Sequence, residues 1–129
     1  MSKQQGVSSE LMFRYECVTK GIVPSTPDID DGCGFDVITS HNGRLLKIQV
    51  KSTNTKMNDG YRIQVSRGSK NKQRYTKDHC DIIAVHIVEL NLWYFIPIEA
   101  VKGVNLNVYP LKINHRYSKY INAWHLLAS

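Results

Sequence analysis

Apolar residues recur along this chain with two different periods. Between Ser8 and Lys20, the positions Leu11, Met12, Tyr15 and Val18 follow the spacing of one helical face. Ser8 or Ser9 can cap that helix and Gly21 can end it. Ile22 and Val23 make a short apolar run stopped by Pro24, and residues 24–34 are rich in Pro, Gly and Asp, a loop composition. The period then becomes two. Phe35–Ser40 and Arg44–Ser52 read as strands around His41-Asn42-Gly43. Asn-Gly is the strongest short hairpin signal, because both residues tolerate positive φ. A second strand pair is predicted at Tyr61–Ser66 and Asp81–Val88, with a further strand at Trp93–Pro97. A short helix is predicted to open at Pro97 and a helical segment to run over Tyr117–Leu127. Together these elements predict an α+β domain, a mixed central β-sheet flanked by helices.

The hairpin places particular side chains together. With Asn42 and Gly43 as the turn, His41 opposes Arg44, Ser40 opposes Leu45 and Asp36 opposes Gln49. Phe35, Val37, Leu46, Ile48 and Val50 then form a core face, while Asp36, Ile38, Ser40, Leu45, Lys47, Gln49 and Lys51 share the other. Opposed residues have Cβ atoms about 5 Å apart, so Asp36, Gln49 and Lys51 converge on one polar patch. A one-residue slip would expose the apolar set, so burial protects the register. An Asp–Lys pair on a sheet surface is worth under about 1 kcal/mol and needs no function. Asp is nevertheless disfavoured in strands. A carboxylate beside a carboxamide and an ammonium can hold a hard divalent cation next to a phosphate.

Composition narrows the context. The 129 residues suit a single domain, residues 1–129, and 42% apolar with 22% charged residues is a folded composition, not a disordered one. Seventeen Lys+Arg against 11 Asp+Glu leave a net charge of +6, which favours an anionic partner. Residues 61–77 contain Arg62, Arg67, Lys70, Lys72, Arg74 and Lys77 with no acid, and Tyr75 adds a polar aromatic. Such a run is usually a solvated, flexible face, and Lys47 can equally be a surface lysine. No apolar run approaches the ~18 residues of a membrane span. The opening Met1-Ser-Lys-Gln-Gln-Gly has no signal-peptide core, so a cytoplasmic protein without membrane partners is expected. Cys17, Cys33 and Cys80 are odd in number and far apart, which argues for reduced thiols and against zinc. Asp28, Asp30 and Asp31 read as solvated turn chemistry, and the five histidines show no ligand spacing.

Asp36, twelve residues, then Gln49-Val50-Lys51 resembles the D…(D/E)xK signature of the PD-(D/E)xK nuclease superfamily. Leu45-Leu-Lys-Ile-Gln-Val-Lys-Ser is similar to the motif strand of its group I intron-associated, homing endonuclease-like branch. Glu10 matches a helix glutamate of many members, and Tyr75, Asp78, Asp81 and Trp93-Tyr-Phe-Ile-Pro follow in that branch's order. Two positions depart: Gln49 replaces the usual acid, and Phe35 stands where the signature has proline.

The resemblance, carried by residues 8–101, implies a restriction endonuclease-like αβββαβ core and a Mg²⁺-dependent endodeoxyribonuclease, with Mn²⁺ as a possible substitute. It implies Glu10, Asp36, Gln49 and Lys51 as catalytic residues. Asp36, Gln49, Glu10 and the Val50 carbonyl would be metal ligands, and Lys51 would orient or activate the attacking water. The expected substrate is double-stranded or branched DNA, with Lys47, Arg62, Arg67, Lys70, Lys72, Arg74, Tyr75 and Lys77 as the implied DNA contacts and base reading from side chains within Tyr61–Arg74. Cutting both strands calls for a homodimer or homotetramer, with Tyr117, Tyr120, Ile121, Trp124, Leu126 and Leu127 as the expected contact surface. The alternatives are a Holliday-junction resolvase, a restriction-type nuclease, an inactive DNA-binding module of the same fold, and a basic interaction domain without nucleic acid.

Overall fold

A computed structural model describes residues 3–29, 33–68 and 72–128. Helix α1 (Lys3–Thr19) leads into β1 (Val23–Ser25), followed by the hairpin β2 (Val37–His41) and β3 (Arg44–Thr53). Four short strands come next: β4 (Lys56–Met57), β5 (Gly60–Gln64), β6 (Ser66–Arg67) and β7 (Gln73–Arg74). Then come β8 (Ile82–Ile87), β9 (Leu92–Pro97), β10 (Asn105–Val108) and a final turn of helix, α2 (His125–Ala128). The main sheet has the order β1-β2-β3-β8-β9. It is mixed, because β3 pairs parallel with β8 while its other neighbour pairs are antiparallel. A second sheet, β10-β5-β4, lies over one of its faces.

The hairpin has the expected register: His41 faces Arg44 and Val37 faces Ile48 across a turn with Asn42 at φ 51° and Gly43 at 81°. The second expected pair does not form. Residues of β5 bond to β4 and β10, and β8 lies between β3 and β9. Both segments alternate or run apolar, but that pattern marks burial without naming the neighbour. Strand β10 was not foreseen. Its Asn-Leu-Asn-Val sequence is short and carries residues disfavoured in strands.

Every residue of β8 is buried, because the main sheet is covered on both sides. On one side, Phe13 and Cys17 of α1 pack against Val37, Ile48, Ala84 and Phe95. On the other, Ile83, Val85 and Ile96 meet Tyr61, Ile63, Leu106 and Val108 of the second sheet. Helix α1 begins by Lys3, not at Ser8 or Ser9. Ser9 is buried within it, its hydroxyl 2.7 Å from His86 Nδ1, so it ties the helix to the sheet instead of capping it. Gly21 does end the helix: at φ 74° its N–H bonds Val18 O, and the Ile22 N–H bonds Cys17 O.

The helix presents Ser9, Phe13 and Cys17 to the sheet, so the apolar stripe faces outward: Leu11 is 52%, Tyr15 64% and Val18 65% exposed. The C-terminal aromatics do the reverse. Tyr117 and Leu127 are buried, and Trp124 stacks on Phe13 at 6.0 Å and meets Phe95 at 4.5 Å. The C-terminal segment therefore packs into the domain's own core through Tyr117 and Leu127, while Tyr120, Ile121, Trp124 and Leu126 stay half-buried. Only a short 3₁₀ turn (Ser118–Tyr120) and α2 are helical in it.

His86 also contacts Asn91 Oδ1 at 2.9 Å and stacks on Trp93 at 4.2 Å. Burial holds its imidazole below the ordinary histidine value, partly offset by the Asn91 bond. As pH falls through the ordinary histidine range, the unfolded chain binds the proton first, so stability drops. Melting temperature measured from pH 8 to pH 5 should fall for the native chain. His86→Gln should flatten that slope.

Candidate active site

The geometry starts from a place where two strands part. The β2–β3 ladder ends at the Val37–Ile48 pair. The Asp36 N–H turns to Ile48 O at 2.8 Å instead of continuing opposite Gln49. That departure leaves the Val50 N–H of β3 without a strand partner on this side, and the Asp36 carboxylate takes it: Oδ2 accepts from Val50 N at 2.9 Å. The same oxygen accepts from Gln49 Nε2 at 2.8 Å. The break in the ladder also alters the expected alternation. Phe35, assigned to the face of Val37, packs against the opposite core cluster and lines the same cleft as Asp36.

That cleft, about 670 Å³, brings Asp36, Gln49 and Lys51 together with Gln64, Ser66, Arg67 and Tyr75. Gln49 is 9% exposed, a polar side chain held in place by its bond to Asp36. Lys51 is half-buried. Burial lowers the pKa of its ammonium, while the charge of Asp36 works against that shift. Its Nζ lies 5.3 Å from the centre of the Tyr75 ring. Burial, helped by Asp36 and Cys80 and opposed by Arg67, pushes the Tyr75 hydroxyl up to about 12, so it stays a neutral donor. Cys80 is likewise raised by burial to about 12 and is an inert thiol.

The other expected site residues are dispersed. Glu10 sits mid-helix. It is half-buried one turn beyond Gly6, and Gly6 lines an adjoining cavity of about 370 Å³ with Val50, Lys51 and Arg62. Glu10 is not among the residues lining the Asp36 cleft.

Lys47 reaches the Asp78 carbonyl at 3.1 Å and lies over Phe35. Lys77 is neutralised by Asp81 at 2.9 Å and Glu99 at 3.6 Å. Arg74 bonds the Val101 carbonyl at 3.1 Å, and Arg67 lies 2.6 Å from His79 Nε2. Arg62 and Lys72 are exposed. Lys70, Asp30 and Asp31 lie outside the described residues, and Asp28 is exposed in the loop. Gln64, Ser66 and Gln73 also line the cleft; they fall within the Tyr61–Arg74 stretch but belong to no motif of the sequence. The signal for Gln64 and Ser66 was there: they hold the polar positions of an alternating strand.

Among the described residues, no group of three or more His, Cys, Asp or Glu side chains converges as a metal cage. A cation here would rest on one carboxylate and neutral oxygens. Mg²⁺ tolerates such a set, since it retains waters and takes phosphate oxygens as ligands.

No curated protein matches the sequence significantly. Among solved structures, the fold is similar to that of the bacterial homing endonuclease I-Ssp6803I, at 23% identity and a TM-score of 0.83 over 97% of this chain and 91% of that one. It is also similar to the Holliday junction resolvase Hjc of Archaeoglobus fulgidus, at 12% identity and a TM-score of 0.59 over 95% of this chain and 94% of that one. The sequence pattern of the PD-(D/E)XK endonuclease family matches residues 1–127. With that match spanning almost the whole chain, and the motif residues gathered in one cleft, this protein belongs to the PD-(D/E)XK endonuclease family.

Proposed function

We propose that this chain is a divalent-metal-dependent DNA endonuclease of the homing type, cutting duplex DNA at the Asp36 cleft. The observation that carries the reading is the convergence of Asp36, Gln49 and Lys51 where β2 leaves β3. Asp36 would hold the cation with the Gln49 carboxamide. Within a strand, the N–H and C=O of one residue face the same neighbour. The Val50 N–H meets Asp36, so its carbonyl faces that side too and can serve as a third ligand. A bound Mg²⁺ would polarise the scissile phosphate and lower the pKa of a coordinated water.

Lys51 has the chain's own part in the chemistry. Its ammonium is destabilised by burial, so it gains by donating to a developing hydroxide or a phosphoryl oxygen. Tyr75, whose ring centre lies 5.3 Å from the Lys51 ammonium and whose hydroxyl stays neutral, would donate to the same phosphate. Glu10 would contribute from α1, through water. Arg67 and Lys72 would meet the DNA backbone, which gives affinity and salt dependence without sequence choice.

The homing reading is preferred to junction resolution because the likeness to the homing endonuclease is the higher of the two, 0.83 against 0.59. The test offers Mg²⁺, supercoiled plasmid carrying candidate sites, and a four-way junction side by side. Nicking of the plasmid with an intact junction is expected. Exclusive cutting of the junction would transfer the protein to the resolvase class, and binding without any cut would make it an inactive module.

Gln49 leaves the site one negative charge short of the family signature. Gln49→Glu should therefore tighten Mg²⁺ binding by about tenfold, read by calorimetry without DNA. Unchanged affinity would place the ion away from residue 49.

A double-strand cut needs two clefts, and we propose that two copies meet through α1. Val7, Leu11, Tyr15 and Val18 form an exposed apolar stripe on that helix, with Val7 53% exposed. Light scattering should report a dimer or larger for the native chain and a monomer for Tyr15→Asp with Val18→Asp. A dimer that survives both changes would rule the stripe out.

A further inference from the structure

We propose that the outward face of the β5–β10 ribbon reads base edges in the major groove, with Arg62, Gln64, Asn105 and Asn107 as its specificity-determining residues. This rests on the DNA endonuclease reading above and adds what part of the DNA the chain recognises. The two strands pair antiparallel, so that Asn105 stands opposite Gln64 and Asn107 opposite Arg62. Their alternate residues Tyr61, Ile63, Leu106 and Val108 are buried in the core, which fixes the four polar side chains on the other side. Arg62 donates to Asn107 Oδ1 across the ribbon at 3.5 Å, a contact long enough to be exchanged for a base. Lys72 donates to Gln64 Oε1 at 3.3 Å.

Chemistry and dimensions agree. The major groove admits a two-stranded ribbon, Asn and Gln match the paired donor and acceptor of adenine, and Arg matches the two acceptors of guanine. Residues two apart on a strand are about 6.8 Å apart, close to two base steps of about 3.4 Å. Asn is also disfavoured in strands, yet two of the four residues of β10 are Asn.

The surroundings suit a duplex. Lys102 and Arg116 line a cavity of about 380 Å³ with Asn105 and Asn107, which places cations beside the amides for phosphates. Toward the reaction site, Gln64 lines the cleft of Asp36 and Lys51, and with Arg62 it also lines the adjoining cavity. The ribbon face and the cleavage site are therefore one continuous surface. Among the described residues, no carboxylate lines either of the two cavities beside the ribbon.

The test is selection from a randomised DNA duplex library in metal-free buffer, so that binding is read without cleavage. The native chain should enrich a defined sequence. Asn105→Ala and Asn107→Ala should each lose about tenfold discrimination at one or two positions of it. Their salt dependence should be unchanged, since neither removes a charge, and melting curves would confirm that both fold. Arg67→Ala should weaken all sequences alike and lower the salt slope by about one. The same enriched sequence for the native chain and both Asn variants would overturn the ribbon, as would the absence of any enriched sequence. Plasmid cutting by the native chain alongside either result would show that the endonuclease reading survives on its own.

Discussion

Asp36→Asn should slow plasmid nicking by at least about 10³-fold, a barrier increase of about 4 kcal/mol. DNA affinity in metal-free buffer should stay within about threefold, because the variant removes no cationic contact to phosphate. Asparagine is the informative replacement. It keeps an oxygen for the Val50 N–H and the Gln49 amide, so the fork between β2 and β3 retains its bonds. What it removes is charge. The cation loses the one carboxylate that lines the cleft among the described residues, and Lys51 loses the group that most opposes the lowering of its pKa. The checks are a nicking time course with Mg²⁺ and a melting curve. Full activity in Asp36→Asn would dissolve the proposed site. A large drop in melting temperature would instead assign Asp36 to holding the strands.

The second large effect is expected at Lys51, and it runs in two directions. Lys51→Met should cut more slowly by about 10²- to 10³-fold, through loss of the donor at the developing charge. The same change should raise stability by about 1 kcal/mol. The sign follows from burial. A lysine whose pKa is lowered by folding destabilises the native state at every pH below its folded value, and that penalty disappears only above the ordinary lysine range. Methionine keeps the aliphatic stem and omits the ammonium. Attraction to Asp36 and to the Tyr75 ring offsets part of the gain, which keeps it small. Thermal melts at pH 7 and in strong alkali check this: the variant's advantage should narrow at high pH. A variant that melts lower at pH 7 would show that those attractions outweigh burial.

Local chemistry was legible wherever neighbours in space are also near in sequence. The Asn42-Gly43 turn sets the β2–β3 register as far as Val37 and Ile48 and so brings Asp36 near Gln49 and Lys51, although the strands part just before Asp36 and Gln49 would pair. Gly21 ends α1 for reasons confined to one turn of helix. The directions in which long-range faces point were not legible. Leu11, Tyr15 and Val18 look like a core stripe, yet the sheet accepts Ser9, Phe13 and Cys17, because Phe13 fits between Trp93, Phe95 and Trp124 and Ser9 finds His86. Apolar periodicity measures how much a face has to bury and carries no information about which partner buries it.

The same limit explains the strand pairing and the cations. Parallel pairing of β3 with β8 joins residues more than thirty positions apart, and only packing on both faces selects it. Lys77 reads as a DNA contact until folding sets Asp81 and Glu99 beside it. What this sequence determined alone was the position and register of the β2–β3 hairpin, since turn geometry and side-chain alternation act over a few residues. Tertiary structure decided which polar strand joins that hairpin at the cleft, because the second sheet takes its place through buried contacts that no local period encodes.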